Sequence, residues 1–253
     1  MAFNKLKKFL MRKAAGKAVK LLKKGPFCSA VVVAAGSATR MGGTDKIFAD
    51  LAGKTVLAHS LIALEKSACI KEIVIVTRAD KIVDAARICT EEGITKVTNV
   101  VCGGEDRVHS VMNGLDVVST KATHVAIHDG ARPMVRPELV EAVYKASSLS
   151  GAAIPGVSVA DTVKVFKDGF VESTPARQSV CAVQTPQVFD CDMLRAALWK
   201  AADEGWAITD DASACEKCGI KVAVCEGDRE NFKITTPIDL AMAQMIMDKR
   251  SHI

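Results

Sequence analysis

From residue 28 onward, short apolar runs rich in β-branched residues alternate with longer segments of helical period, and few architectures accommodate that rhythm. Ala30–Ala35 reads as a strand, Val56–Ser67 as a helix, Glu72–Thr77 as a strand, Lys81–Glu92 as a helix and Lys96–Val101 as a strand. A helix near Val108–Val118, the strand His124–His128, the helix Pro137–Ser148 and the strand Gly151–Pro155 continue the pattern. The alternation predicts an α/β fold, a three-layer, Rossmann-like arrangement around a mainly parallel sheet. Ligands of such sheets gather beyond the carboxyl ends of the strands, where Gly36, Gly103 and Asp129 would lie.

Residues 157–185 interrupt the rhythm. Val163–Phe166, the turn Asp168-Gly169 and Phe170–Glu172 read as a hairpin with a type I′ turn, projecting from the body as an arm. A lone two-stranded arm is marginally stable, so it is expected to pack on something, such as a second subunit. Beyond it, helices are expected at Asp192–Glu204, from near Asp210, and at Pro237–Lys249, with strands at Lys221–Cys225 and Phe232–Ile234. The domain reading is a single domain over 28–250, its arm at about 157–185, preceded by residues 1–27.

Residues 1–27 hold nine cations and no acid, so the remainder of the chain, 25 cations against 29 acids, carries −4. A mildly acidic body argues against a broad nucleic-acid-binding face. On a helical wheel Phe3, Leu6, Leu10, Ala14, Ala18 and Leu21 share one side of the basic segment. It reads as an amphipathic helix able to touch an anionic membrane surface, or as an appendage unrelated to catalysis. No stretch approaches the roughly 18 apolar residues of a membrane span, and nine scattered cysteines suit a reduced, cytoplasmic protein.

Three constellations carry chemistry. Ala34-Ala35-Gly36 ends the first strand in a small-residue turn whose N–H groups can cradle an anion, with Arg40 and Lys46 close behind to neutralise a polyphosphate. The spacing is neither G-x-G-x-x-G nor a P-loop, because Phe48 stands where the first P-loop glycine would precede Gly53-Lys54-Thr55. Gly103-Gly104 runs into a second helix whose Ser110 offers a hydroxyl beside a flat glycine backbone suited to a base. His128-Asp129-Gly130-Ala131-Arg132-Pro133 places a carboxylate suited to Mg²⁺ at a strand end. Arg132 could bind a second anion or pair internally with Asp129.

Together these pieces resemble the 2-C-methyl-D-erythritol 4-phosphate cytidylyltransferases, nucleotidyltransferases of the non-mevalonate isoprenoid route. The resemblance runs from residue 29 to about 247. Besides the three constellations it rests on Asp161-Thr162-Val163-Lys164, Gln184-Thr185-Pro186-Gln187, Thr209-Asp210-Asp211-Ala212-Ser213 and Asn231-Phe232-Lys233-Ile234-Thr235. It implies the nucleotide-diphospho-sugar transferase type of fold and transfer of CMP from CTP to the methylerythritol phosphate. It further implies that Ala34, Ala35, Gly36, Gly104 and Ser110 hold the cytidine, that Arg40, Lys46 and Lys233 are catalytic, and that Asp129 binds Mg²⁺. Asp129, Arg132, Thr185 and Thr209 would bind the acceptor, completed by Thr162 and Arg177 across a homodimer. A cytidylyltransferase for another polyol phosphate, such as ribitol 5-phosphate, and a non-catalytic nucleotide-binding protein are the competing readings. Two departures stand out: the loop from Met41 to Lys46 is one residue short, and Asp45-Lys46-Ile47-Phe48 replaces the usual Pro-Lys-Gln-aromatic.

Overall fold

The computed structural model describes residues 27–36 and 45–251. The basic segment 1–26 and residues 37–44, with Arg40 and Met41, lie outside the described residues.

The first strand, β1 (Cys28–Ala34), leads to a short ladder of β2 (Asp50–Leu51) and β3 (Lys54–Thr55), then to α1 (Val56–Lys66). Thr55 caps that helix by accepting from Ala58 N–H, which meets one of the donors a helix start leaves unpaired. Next come β4 (Ile70–Thr77), α2 (Ile82–Glu91), β5 (Val97–Cys102), α3 (Arg107–Asp116), β6 (His124–Asp129), α4 (Pro137–Ser150) and β7 (Ala152–Ser158). Proline occupies the first turn of α4 and Gly151, with φ of 87°, ends it, the usual asymmetry of helix boundaries. The hairpin β8 (Val165–Lys167) and β9 (Phe170–Ser173) turns at Asp168 (φ 50°) and Gly169 (φ 85°), so both central residues have the positive φ of the expected type I′ turn. The chain returns through β10 (Cys181–Val183) and β11 (Gln187–Asp190), then α5 (Cys191–Asp203), α6 (Asp211–Lys217), β12 (Ala223–Glu226) and α7 (Pro237–Ser251).

One mixed, mostly parallel sheet organises these elements. Strands β5, β4, β1 and β6 lie side by side in parallel, and β11 is inserted antiparallel between β6 and β7. On its other edge β7 takes β12 in parallel, while beyond β11 it pairs antiparallel with β10. Side chains alternate across β1. Cys28, Ala30, Val32 and Ala34 join one core layer with Leu57, Leu61, Leu64 and Val140, whereas Val31 joins the other with Val111, Leu115, Leu194 and Leu198. Helix α3 lies close on the sheet at Gly114, where an added Cβ would stand 2.5 Å from Val31 Cγ1 and 2.8 Å from Val76 Cγ2. A smaller cluster of Leu51, Val56, Met134, Ile234 and Ala243 seats α7 near the site.

Two expectations need correction. Phe232–Ile234 forms no strand: Ile234 N–H donates one bond to the Ala131 carbonyl, and Phe232 and Ile234 instead pack in the cluster beneath α7. Strands β10 and β11 were missing from the expected set, because each is short and the two are separated by Gln184-Thr185-Pro186.

Candidate active site

The carboxyl ends of β1, β5 and β6 surround a cavity of about 380 Å³. One side is built by small residues. Ala35 and Gly36 follow β1, and an added Cβ on Gly103 would come within 2.5 Å of Ala35 Cβ, so the two turns touch at a point only glycine permits. The second turn is closed by its own hydrogen bonds. Gly103 N–H donates to Thr77 O, Gly104 N–H to Ser110 Oγ at 3.1 Å, and Ser110 Oγ to Asp106 O at 2.7 Å. Asp106 caps α3 by accepting from His109 N–H, which leaves Arg107 on the first turn facing the cavity.

The opposite side is charged. Asp129 ends β6 and is buried among three cations: Lys233 Nζ 2.9 Å from Oδ2, Arg132 Nε 3.6 Å from Oδ2, and Arg107 Nη2 4.0 Å from Oδ1. Burial alone would push this carboxyl up, but Lys233, Arg107 and Arg132 outweigh it and hold it at about 2. Asp129 is therefore fully ionised at neutral pH. Its own N–H donates to Thr185 Oγ1 at 3.0 Å, and His128 Nδ1 lies 3.1 Å from that hydroxyl. Burial pushes His128 down to about 4, so it is neutral at pH 7. His109 pairs with Asp106 and His124 stacks edge-on with Tyr144, so these three histidines hold structure.

Of the residues named from the sequence, Ala35, Gly36, Lys46, Gly104, Ser110, Asp129 and Lys233 line the one cavity. Lys46 is buried at its wall despite the shortened loop before it. Asp45, where the usual pattern has proline, holds the chain beside Lys46 by accepting from Ile47 N–H and by an ion pair with Arg78 at 2.7 Å. Ala34 is buried directly below. Arg132 and Thr185 pack against Asp129 but do not line the cavity, and of the two roles open to Arg132 the internal pair with Asp129 is the one formed. Its Nη1 also donates to Asn231 O at 2.8 Å, while Asn231 Nδ2 donates to Thr185 O. Thr162, Arg177 and Thr209 are exposed and do not line the cavity.

Arg107, Asp211, Gln187 and Asn231 received no role from the sequence, although the last three stand in motifs quoted above and Arg107 falls between Gly104 and Ser110. Their ion pairs and hydrogen bonds join positions remote in the chain, which spacing cannot reveal.

A mostly parallel three-layer sheet, with a glycine-walled cavity at its carboxyl ends facing an ionised carboxylate ringed by cations, defines an α/β nucleotidyltransferase. Comparison with known proteins narrows the class. The family model described as IspD, 2-C-methyl-D-erythritol 4-phosphate cytidylyltransferase, matches residues 28–249, and the chain belongs to that family. A protein of that name from Caldanaerobacter subterraneus subsp. tengcongensis is 43% identical over 228 residues, covering 87% of this chain and 99% of the relative. One from Nostoc sp. is 36% identical over 224 residues, covering 88% and 98%. The crystal structure of 4-diphosphocytidyl-2C-methyl-D-erythritol synthase from Anaerococcus prevotii superposes with a TM-score of 0.81 at 30% identity, covering 91% of this chain and 99% of that one. The cytidylyltransferase from Thermus thermophilus gives 0.70 at 30%, covering 87% and 98%.

Proposed function

We propose that this chain transfers CMP from CTP to 2-C-methyl-D-erythritol 4-phosphate, giving 4-diphosphocytidyl-2-C-methyl-D-erythritol and pyrophosphate. The observation that carries the reading is the ionised Asp129 among Lys233, Arg132 and Arg107, facing the turns at Ala35-Gly36 and Gly104 across a single cavity. A phosphate oxygen of the acceptor attacks the α-phosphorus of CTP in line. The bond from that phosphorus to the bridging oxygen of the β-phosphate breaks, and pyrophosphate leaves with the electron pair. The nucleophile is already anionic at neutral pH, so no side-chain base is required. What the chain must supply is relief of repulsion between anions and charge stabilisation at the crowded phosphorus.

In this reading Ala34, Ala35, Gly36, Gly104 and Ser110 hold the cytidine, while Arg40 and Lys46 meet the triphosphate. Lys233 and Asp129 stand beside the reacting phosphates, and Arg132, Thr185 and Thr209 form or support the acceptor side. Thr162 and Arg177, on the exposed arm, complete the acceptor site of a neighbouring copy in a homodimer. Exposed Phe166 and Phe170 on the hairpin support that assembly, since apolar surface of this size is rarely left in water.

The residues present fit a divalent cation. The described residues contain no cluster of three or more metal-ligating side chains, yet Mg²⁺ commonly takes one carboxylate and completes its shell with phosphate oxygens and water. Asp129 would hold it, and bound there it would neutralise charge on the triphosphate. No helix among the described residues is long and apolar enough to cross a membrane, and we place the enzyme in the cytoplasm, with residues 1–27 available for weak contact with anionic lipid.

Pyrophosphate release from CTP and Mg²⁺, with methylerythritol phosphate and ribitol 5-phosphate as separate acceptors, tests the assignment. Turnover with methylerythritol phosphate is expected, and turnover confined to ribitol phosphate would overturn it. Lys46→Ala and Lys233→Ala should each lower kcat by on the order of 10² through lost charge stabilisation. Near-normal kcat in both refutes the assigned roles.

A further inference from the structure

Arg107, on the cavity wall, pairs with a residue 104 positions away, and apart from the place of Arg107 beside Asp129 the reaction above gives neither residue a part. Its Nη2 lies 2.7 Å from Asp211 Oδ2 and 4.0 Å from Asp129 Oδ1, so one guanidinium stands between two carboxylates from different elements. The Asp211 side chain is wholly buried, and its Oδ1 has no hydrogen-bond partner. Taking a carboxylate out of water is costly and adds little stability over an apolar pair of similar volume, so such a pair calls for a role beyond holding the fold.

Both ends of the pair are rigidly mounted. Arg107 opens α3 immediately after the turn Gly103–Asp106, which its own hydrogen bonds close. Asp211 opens α6 just after Asp210, whose side chain forms a capping box with Ser213. Gln187 straps that segment to the sheet, donating to Asp210 Oδ2 at 2.6 Å and accepting from Ala212 N–H at 3.1 Å. Thr209 N–H in turn rests on Ser213 Oγ at 3.2 Å. At the cavity wall the guanidinium thus ties the nucleotide turn to Asp129 and to the buried start of the segment that follows Thr209.

We infer that Arg107 and Asp211 are a pair of positioning residues that set the acceptor segment 209–213 at a defined distance from the nucleotide turn 103–110. The inference rests on the reading of the two turns given under the proposed function. In-line transfer demands that distance, because misplacement by about 1 Å costs on the order of 10²-fold in rate. Removing the pair therefore affects acceptor use and kcat, and leaves CTP binding in place.

The test compares Arg107→Met/Asp211→Leu, which replaces the pair by apolar groups that can fill the space, with Asp211→Asn, which keeps volume and one oxygen for the guanidinium. In both, the acceptor kcat/KM should fall at least about tenfold while the dissociation constant of CTP, from calorimetry, changes by less than about threefold. A folded double variant with acceptor kcat and KM near those of the unmodified chain overturns the inference, since the pair would then serve the fold alone. CTP binding weakened about tenfold with acceptor KM unchanged also overturns it, by assigning Arg107 to the nucleotide. Should the double variant not fold, Asp211→Asn decides by the same criteria. Hydrogen exchange of amides 209–213, measured without substrates, is independent of catalysis. Exchange there should quicken at least about tenfold in the variants, and unchanged rates refute the pair's role even if the unmodified chain were to prove inactive with methylerythritol phosphate.

Discussion

Replacing Asp129 by asparagine tests the electrostatics of the site without changing its shape. In the folded chain the Asp129 carboxyl is buried, yet it titrates near about 2 instead of its ordinary 3.8, because Lys233, Arg107 and Arg132 favour its charged form by more than burial opposes it. The gap, at about 1.4 kcal/mol per pH unit, is worth about 2 kcal/mol of stability at neutral pH. The sign follows from the folded value being the lower one. As pH falls, the unfolded chain takes up the proton first, so the contribution is complete above about pH 5 and is lost between about pH 4 and 2. Two-state linkage puts about half of it gone by pH 3. Asp129→Asn cannot titrate and lacks the term throughout, while Arg107 keeps Asp211 and the half-exposed Lys233 can turn to water. Urea unfolding from pH 7 to pH 3 should show the variant about 2 kcal/mol less stable at pH 7, with the difference shrinking to about 1 kcal/mol at pH 3. A difference independent of pH, or a variant as stable as the parent at pH 7, refutes the account of Asp129 as an ion held by its neighbours.

Other perturbations probe separate parts of the molecule. Gly114→Ala forces a methyl group against Val31 and Val76 and should cost about 1–3 kcal/mol, seen as a melting temperature lower by several degrees; an unchanged value would show that α3 can lift from the sheet. Phe166→Ser with Phe170→Ser should shift sedimentation from dimer toward monomer at micromolar concentration, and a dimer that persists unchanged removes the hairpin from the interface. Anionic vesicles should retain the full chain more than a 28–253 fragment, and equal partitioning dismisses a lipid role for the basic segment.

The parallel part of the sheet was legible because its strands are apolar runs and its helices open on recognisable residues, as at Thr55 and Pro137, whereas Gly151, read as the start of a strand, proved to be the cap of the preceding helix. The type I′ turn was equally plain at Asp168-Gly169. Strand β11 was hidden for a physical reason: Gln187–Asp190 is too short to show a period, and pairing with β6 and β7 decides its conformation. Phe232-Lys233-Ile234 misled because alternation of apolar and charged residues is shared by a strand and by a loop that buries Ile234, packs a half-buried Phe232 beside it and lends Lys233 to Asp129. At the site, Gly36, Lys46, Gly104, Ser110 and Asp129 were legible by type beyond the ends of apolar strands, and Lys233 through the family resemblance. Arg107 and Asp211 were not, since an ion pair between positions 104 apart leaves no local trace.

The feet of the hairpin carry a mechanical consequence. Cys181 pairs with Ser158 at its base, Gln184 N–H donates to Pro155 O, and the next residue, Thr185, takes the N–H of Asp129. Residues 174–180 leave the hairpin outside the sheet, but from Cys181 onward the returning chain is paired to β7 and hands over directly to the residue that holds the Asp129 backbone. One hydroxyl, that of Thr185, is thus the hinge pin at which the root of the arm and the seat of Asp129 meet.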